Sequence, residues 1–131
     1  MVTAVTDDAA VQGGTTTDRI AVARAYIDAL VSHDGASVWF APDAVRYELG
    51  LKTGWSGNHL RRSLSRGPQF RVILGVRDLV ASVEGDVVHT EYLLDSGVFG
   101  RRLMTVRIEE DFVIPADDLR IHRIDAKFRP V

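Results

Sequence analysis

From residue 69 onward the chain is almost wholly β-branched or alternating. "QFRVILGVRDLVASV", "VVHTEYLLDS", "RRLMTVRIEEDFVI" and "LRIHRIDAKF" follow one another with only "EGD", "GVFG" and "PADD" between them. Separators that short permit hairpin-like connections and little else, so the C-terminal half reads as a meander of four long antiparallel strands. Such a sheet needs a cover on its apolar face. The stretch "TDRIAVARAYIDALVSHDG" supplies one, with Thr17 or Asp18 as cap, Ile20, Ala23, Ile27, Leu30 and Val31 on one arc, and a stop at Gly35. The expected fold is therefore α+β, a cone in which a helix over 18–33 is held against a strongly curved antiparallel sheet. Tyr26 falls at the border of the apolar arc, where its ring can be buried while its hydroxyl reaches a cavity.

Between helix and meander the signals are shorter. "ASVWFAP" reads as a brief helix ended before Pro42, "DAVRYEL" as a strand, and "SGNHLRRSLSRGP" as a helix capped at Ser56 and ended by Gly67 and Pro68. Residues 1–17 are rich in Thr, Ala, Gly and Asp without apolar periodicity and read as a flexible leader, which leaves a single domain over 18–131. With 131 residues and 46% hydrophobic content, one domain with a real core is the expectation.

Composition removes several function classes. No run approaches the roughly 18 apolar residues of a membrane span, and a net charge of -2 with scattered arginines gives no basic stripe for nucleic acid. The expectation is no membrane and no nucleic-acid partner, with the cytoplasm as the default compartment. There are no cysteines, and His33, His59, His89 and His122 lack metal-ligand spacing, so no metal is expected. No phosphate loop or nucleophile elbow is present.

Alternation assigns faces. Val88, Thr90, Tyr92 and Leu94 share the parity expected to face the helix, and His122, Ile124, Ala126 and Phe128 share the inward parity on the last strand. In "LMTVRIEEDF" the apolar row Met104, Val106 and Ile108 is read as the outer face, covered by a second copy in a homodimer. Leu103, Thr105, Arg107 and Glu109 are then read as the cavity face. Glu48, at the end of a short apolar-aromatic run, is a candidate base, with Trp39, Tyr47 and Trp55 expected to desolvate it unless an arginine such as Arg46 or Arg107 lies close enough to offset that effect. Trp55, Phe70, Val72, Tyr92 and Leu94 are the expected pocket lining for a small, partly apolar molecule.

The order "AYIDAL", "FAPDAVRYELG", "SGNHLRRSL" and four long strands ending in "RIDAKF" resembles the ketosteroid isomerase and SnoaL-like polyketide cyclase group of the nuclear transport factor 2-like superfamily. The resemblance implies a cone-shaped cystatin-like α+β barrel and, in the isomerases, a carboxylate base with a tyrosine and a protonated acid holding the enolate oxygen. Carried over by position, Tyr26 is the hydrogen-bond donor, Glu48 the base and Glu109 the hydrogen-bonding acid, with no cofactor. His122, whose inward parity on the last strand points it at the pocket, is a further candidate acid or base. A longer glutamate followed by Leu49 stands where the isomerases have an aspartate followed by proline. Arg107, two residues from Glu109, would keep that acid ionised or bind an anionic substrate. Epoxide hydrolases of the superfamily use an arginine between two aspartates, and Tyr92 in "TEYLLD" stands where that arginine should be. Two classes remain: a cofactor-independent isomerase or cyclase acting next to a carbonyl, and a non-catalytic ligand-binding or dimerisation module of the same fold.

Overall fold

The computed structural model describes residues 14–67 and 71–131. Helix α1 runs Thr16–Ser32, two residues ahead of the expected start, because its cap is Thr15 rather than Thr17 or Asp18. The Thr15 hydroxyl accepts from the Asp18 amide at 3.0 Å while the Asp18 carboxylate accepts from the Thr15 amide at 3.1 Å, a reciprocal capping box. The helix ends where His33 enters the left-handed region at φ 61°, its amide donating to the Ala29 carbonyl. In place of the second helix expected in "ASVWFAP" there is a three-residue 3-10 turn, Gly35–Ser37.

Strand β1 is Phe40–Glu48, so Pro42 lies inside a strand, in the stretch where the ladder to its neighbour is irregular and a missing N–H costs nothing. Leu49 and Gly50, both at positive φ, turn the chain into β2, Leu51–Gly54, a short edge strand that periodicity did not reveal. Helix α2, Gly57–Arg66, is capped by Ser56 as expected and buries Leu60 and Leu64 against β1. The four long strands follow as β3 Ile73–Glu84, β4 Val87–Val98, β5 Arg101–Val113 and β6 Ile121–Pro130.

The sheet order is β2-β1-β6-β5-β4-β3, antiparallel throughout except for the parallel pair β1 and β6. The α+β cone is observed, but its sheet is mixed rather than all antiparallel, and open, with β2 and β3 as edges. A bulge at Asp78, φ 59°, and a register shift after Ser96 bend β3 and β4 around α1. The core is one cluster in which Val22, Ala23, Tyr26 and Ile27 of α1 meet Val88, Tyr92, Phe112 and Ile124 of the sheet. Among the described residues no helix is long and apolar enough to cross a membrane.

Among the described residues three charged side chains are buried, Arg19, Arg46 and Glu110. Arg19 is buried, and its Nε and Nη2 donate to the carbonyls of Ile114 at 2.7 Å and Gly85 at 2.6 Å, tying α1 to the β3–β4 turn and to the end of β5. Replacing it with methionine keeps the stem but leaves those carbonyls without this donor. Arg19→Met is expected to cost about 1–3 kcal/mol in urea unfolding.

Candidate functional site

The inner row of β5 decides where the chemistry sits. Register pairs Leu94 with Val106, Tyr92 with Ile108, Thr90 with Glu110 and Val88 with Phe112, so Met104, Val106, Ile108, Glu110 and Phe112 share the face that looks at α1. The expected faces of this strand are therefore exchanged. The apolar row read as a dimer surface lies inside the cone, and Arg107 and Glu109 lie outside it. A row carrying Val106, Ile108 and Phe112 is buried by the hydrophobic effect, and Glu110 is carried in with it.

That face bounds a cavity of about 280 Å³ between α1, the end of β1, the segment entering β3, and β4 to β6. Its polar end presents Tyr26, Glu48, Tyr92 and Glu110, and its apolar body includes Leu30, Leu94, Val106 and Ile108, with Val72 and Phe128 half-exposed. A second depression of about 300 Å³ lies along a different face of α1, by Val22, Ala25, Trp39 and Leu119. Its one carboxylate, Asp18, is already held in the capping box.

The polar end is a linked set. Tyr92 donates from its hydroxyl to Glu110 Oε1 at 2.5 Å, and Thr90 Oγ1 donates to the Glu110 backbone carbonyl. Arg46, on β1 and 0% exposed, donates to the Tyr26 hydroxyl at 3.4 Å, to Thr53 Oγ1 at 3.1 Å and to the Thr53 carbonyl at 3.2 Å. Its Nε lies 4.0 Å from Glu48 Oε1, and the Glu48 side chain is 30% exposed. Burial works against the Arg46 charge, but Tyr26, Glu48 and Glu110 outweigh it and hold the guanidinium proton more firmly than usual.

Burial pushes the Glu110 carboxyl up to about 7; Glu48 and Asp111 add to the rise, while the Tyr92 hydrogen bond and Arg46 restrain it. Tyr26 and Tyr92 are both raised, chiefly by burial and then by Glu110, so both keep their protons at neutral pH. The cavity thus holds a carboxyl that titrates near neutrality beside two neutral hydroxyls. In the unfolded chain Glu110 has its ordinary value near 4.5, so the folded state holds this proton over the window from about 4.5 to about 7, and stability falls as pH rises through it. The fall is about 3 kcal/mol at most, and Glu110→Gln is expected to remove it from a series of urea unfolding curves across that window.

Of the residues expected at the site, Tyr26, Glu48, Val72, Tyr92 and Leu94 line this cavity. Phe70 lies outside the described residues. Glu109 is exposed on the outer face, opposite Glu91 and Lys127, and Arg107 donates to Glu91 there at 2.9 Å. His122, one third exposed, pairs with Asp118 at 2.8 Å near the start of β6, away from the cavity, because both Ile121 and Ile124 turn inward and the strict alternation fails between them. Trp55 is 59% exposed and edge-on to His59; Trp39 is equally exposed, and Tyr47 lies under the Arg123 guanidinium. The aromatic surroundings expected for Glu48 are absent, and Arg46 stands there instead. The outer face carries polar pairs such as the His89–Asp111 hydrogen bond and the Arg77–Asp95 ion pair, so the apolar row behind the homodimer expectation is not on it.

Sequence reasoning missed Glu110, and it weighed Arg46 only as a cation that could offset the desolvation of Glu48, not as a buried member of the site. The signal for Glu110 was the even-numbered row Val106, Ile108 and Phe112, which an acid at the same parity must join. Arg46 shares the inward parity of Ala44 and Glu48 on β1, but nothing in the sequence announced that Thr53 would receive it. Among the described residues no group of His, Cys, Asp or Glu is placed to hold a metal ion.

A family model described as "Domain of unknown function (DUF8021)" matches residues 13–128. No curated protein matches the sequence. Among solved structures, an LEH-like epoxide hydrolase of M. tuberculosis superposes with a TM-score of 0.72 at 22% identity, covering 87% of this chain and 84% of that one. A Shewanella denitrificans protein described as a SnoaL-like polyketide cyclase gives 0.64 at 17% identity over 85% and 90%. A Catenulispora acidiphila protein with a ketosteroid isomerase-like fold, in complex with trimethylamine, gives 0.63 at 15% over 80% and 82%. Together with a neighbour described as having a cystatin-like fold, these show that the chain shares the α+β fold of that group.

Proposed function

The chain belongs to the family described as Domain of unknown function (DUF8021), and we propose that its pocket performs cofactor-independent proton transfer next to a carbonyl, as an isomerase or cyclase does. The observation that carries this reading is convergence: Glu48, Tyr26, Tyr92 and Glu110 meet at one end of a single apolar cavity. Glu48, held beside Arg46, takes a proton from the carbon α to the carbonyl; the electron pair of that C–H bond becomes the C=C bond of the enolate, and the C=O π pair moves onto the carbonyl oxygen. The developing enolate oxygen receives hydrogen bonds from the Tyr26 hydroxyl and from protonated Glu110, which strengthen as negative charge accumulates. Glu48 then returns the proton to carbon, or the enolate attacks a second carbonyl within the same molecule.

The test is exchange of α-hydrogen for deuterium, followed by NMR, across a panel of uncharged ketones and β-keto esters. Exchange above the buffer rate supports the reading. Its absence for a compound that demonstrably binds the cavity leaves the non-catalytic binding module.

A second reading is favoured by Arg46, which lies against Glu48 and interacts with Glu110, an arginine between two carboxylates supplied by β1 rather than β4. In that reading Glu48 activates a water that opens an epoxide while Glu110 protonates the leaving oxygen. Formation of a diol carrying labelled oxygen from solvent, with no ketone exchange, would favour it over the first.

A further inference from the structure

The cavity wall carries charge of one sign. Glu48 and Glu110 line it, while no lysine, arginine or histidine does among the described residues. The neighbouring cation, Arg46, stands behind the wall, fully buried, with its nitrogens directed to Thr53 and to the Tyr26 hydroxyl. Its single charge offsets one carboxylate. Around Glu110, α1 contributes Tyr26, β1 contributes Arg46 and Glu48, and β4 contributes Tyr92; Asp111 follows on its own strand, and β6 brings uncharged Ala126 opposite it. Where both carboxylates are ionised, the polar end holds a net negative charge with Glu110 itself buried, and Coulomb repulsion beside it is stronger than in bulk solvent. The rest of the cavity, from Leu30 and Leu94 to Val106 and Phe128, offers contact to an apolar body and no ionic partner.

We infer that the cavity filters ligands by charge: it takes uncharged or cationic molecules with an apolar body and turns away carboxylates and phosphates, so the substrate is an uncharged carbonyl compound. The filter stands on the wall alone; only the word "substrate" rests on the proton transfer proposed above. Phosphate- or carboxylate-tagged carriers are thereby excluded from the inner end.

The experiment compares three probes of one shape, cyclohexyl methyl ketone, cyclohexylmethylammonium and cyclohexanecarboxylate, by isothermal titration or ligand-observed NMR. At about pH 8.5, where Glu110 is ionised, the ketone and the ammonium are expected to bind at least about tenfold more tightly than the carboxylate. At about pH 6 the probe carboxylate is still ionised but Glu110 is largely neutral, so its disadvantage narrows. Glu110→Gln removes one wall charge and is expected to improve carboxylate binding at the higher pH; Glu48→Gln, at a site with its own exposure, gives an independent second variant. Equal affinity for the carboxylate and the ketone at about pH 8.5, an unchanged carboxylate affinity in both variants, or no binding of any probe at millimolar concentration would overturn the inference. Because no step requires turnover, a failed exchange assay leaves this result standing, and a failed filter leaves exchange to be judged separately.

Discussion

Glu48→Gln is expected to lower α-proton exchange by about 10²- to 10⁴-fold while leaving the unfolding midpoint and the affinity for uncharged ligands nearly unchanged. The amide has the shape of the carboxylate but cannot accept the proton. Little structure depends on the Glu48 charge, since its side chain is 30% exposed and Arg46 keeps its bonds to Thr53 and Tyr26. The companion variants separate the two faces of β5. Glu109→Gln lies on the outer face and should change neither rate nor pH profile. Glu110→Gln should change the profile in a definite way. In the unaltered protein the protonated carboxyl donates to the enolate oxygen, so the rate contribution from this donor is lost as pH rises through about 7. The glutamine amide donates at every pH, so that alkaline loss should be missing. Rates measured by NMR from about pH 5 to about pH 9 would check all three variants together.

How far the sequence disclosed this arrangement depends on the kind of signal each residue carried. The four long strands were legible because alternation and short separators are local properties, and the long helix because its apolar arc repeats at helical period. Tyr26, Tyr92 and Leu94 were placed inward by those same periodicities. β5 was misread because acids occupy both of its rows at Glu109 and Glu110, so polarity could not say which row was outside. Only the pairing with β4 resolves it, opposing Tyr92 to Ile108 and Thr90 to Glu110. His122 was misassigned for a related reason, since strict alternation lapses between Ile121 and Ile124 where β6 begins. β2 was invisible at four residues, with Lys52 and Gly54 in it, because its stability comes from pairing with β1 rather than from its own composition. Arg46 depended on β2 in turn: without Thr53 opposite, a buried guanidinium has no reason to be there.

Arg46→Met is the substitution expected to cost the fold most, about 3–5 kcal/mol in urea unfolding, although methionine replaces much of the buried stem. The loss comes from what the guanidinium leaves behind. The Thr53 carbonyl and hydroxyl and the Tyr26 hydroxyl each lose a donor in a dry interior, and Glu48 and Glu110 lose the cation that offsets them. Glu48 can turn toward solvent, but Glu110 is buried and can escape its uncompensated charge only by keeping its proton. Arg46 restrains the rise of Glu110, so its removal should move that carboxyl further up, beyond about 7. The pH dependence follows from that shift. The folded state then holds the proton to a higher pH, the window in which stability declines extends upward, and the cost of Arg46→Met should be larger at about pH 8.5 than at about pH 5.5. A double-mutant cycle with Glu110→Gln isolates this coupling: in the glutamine background the cost should become nearly independent of pH and should fall toward the loss of the Thr53 and Tyr26 bonds alone. An equal cost at both pH values with Glu110 intact would mean that Arg46 supports the fold through Thr53 and Tyr26 without governing the charge of the cavity.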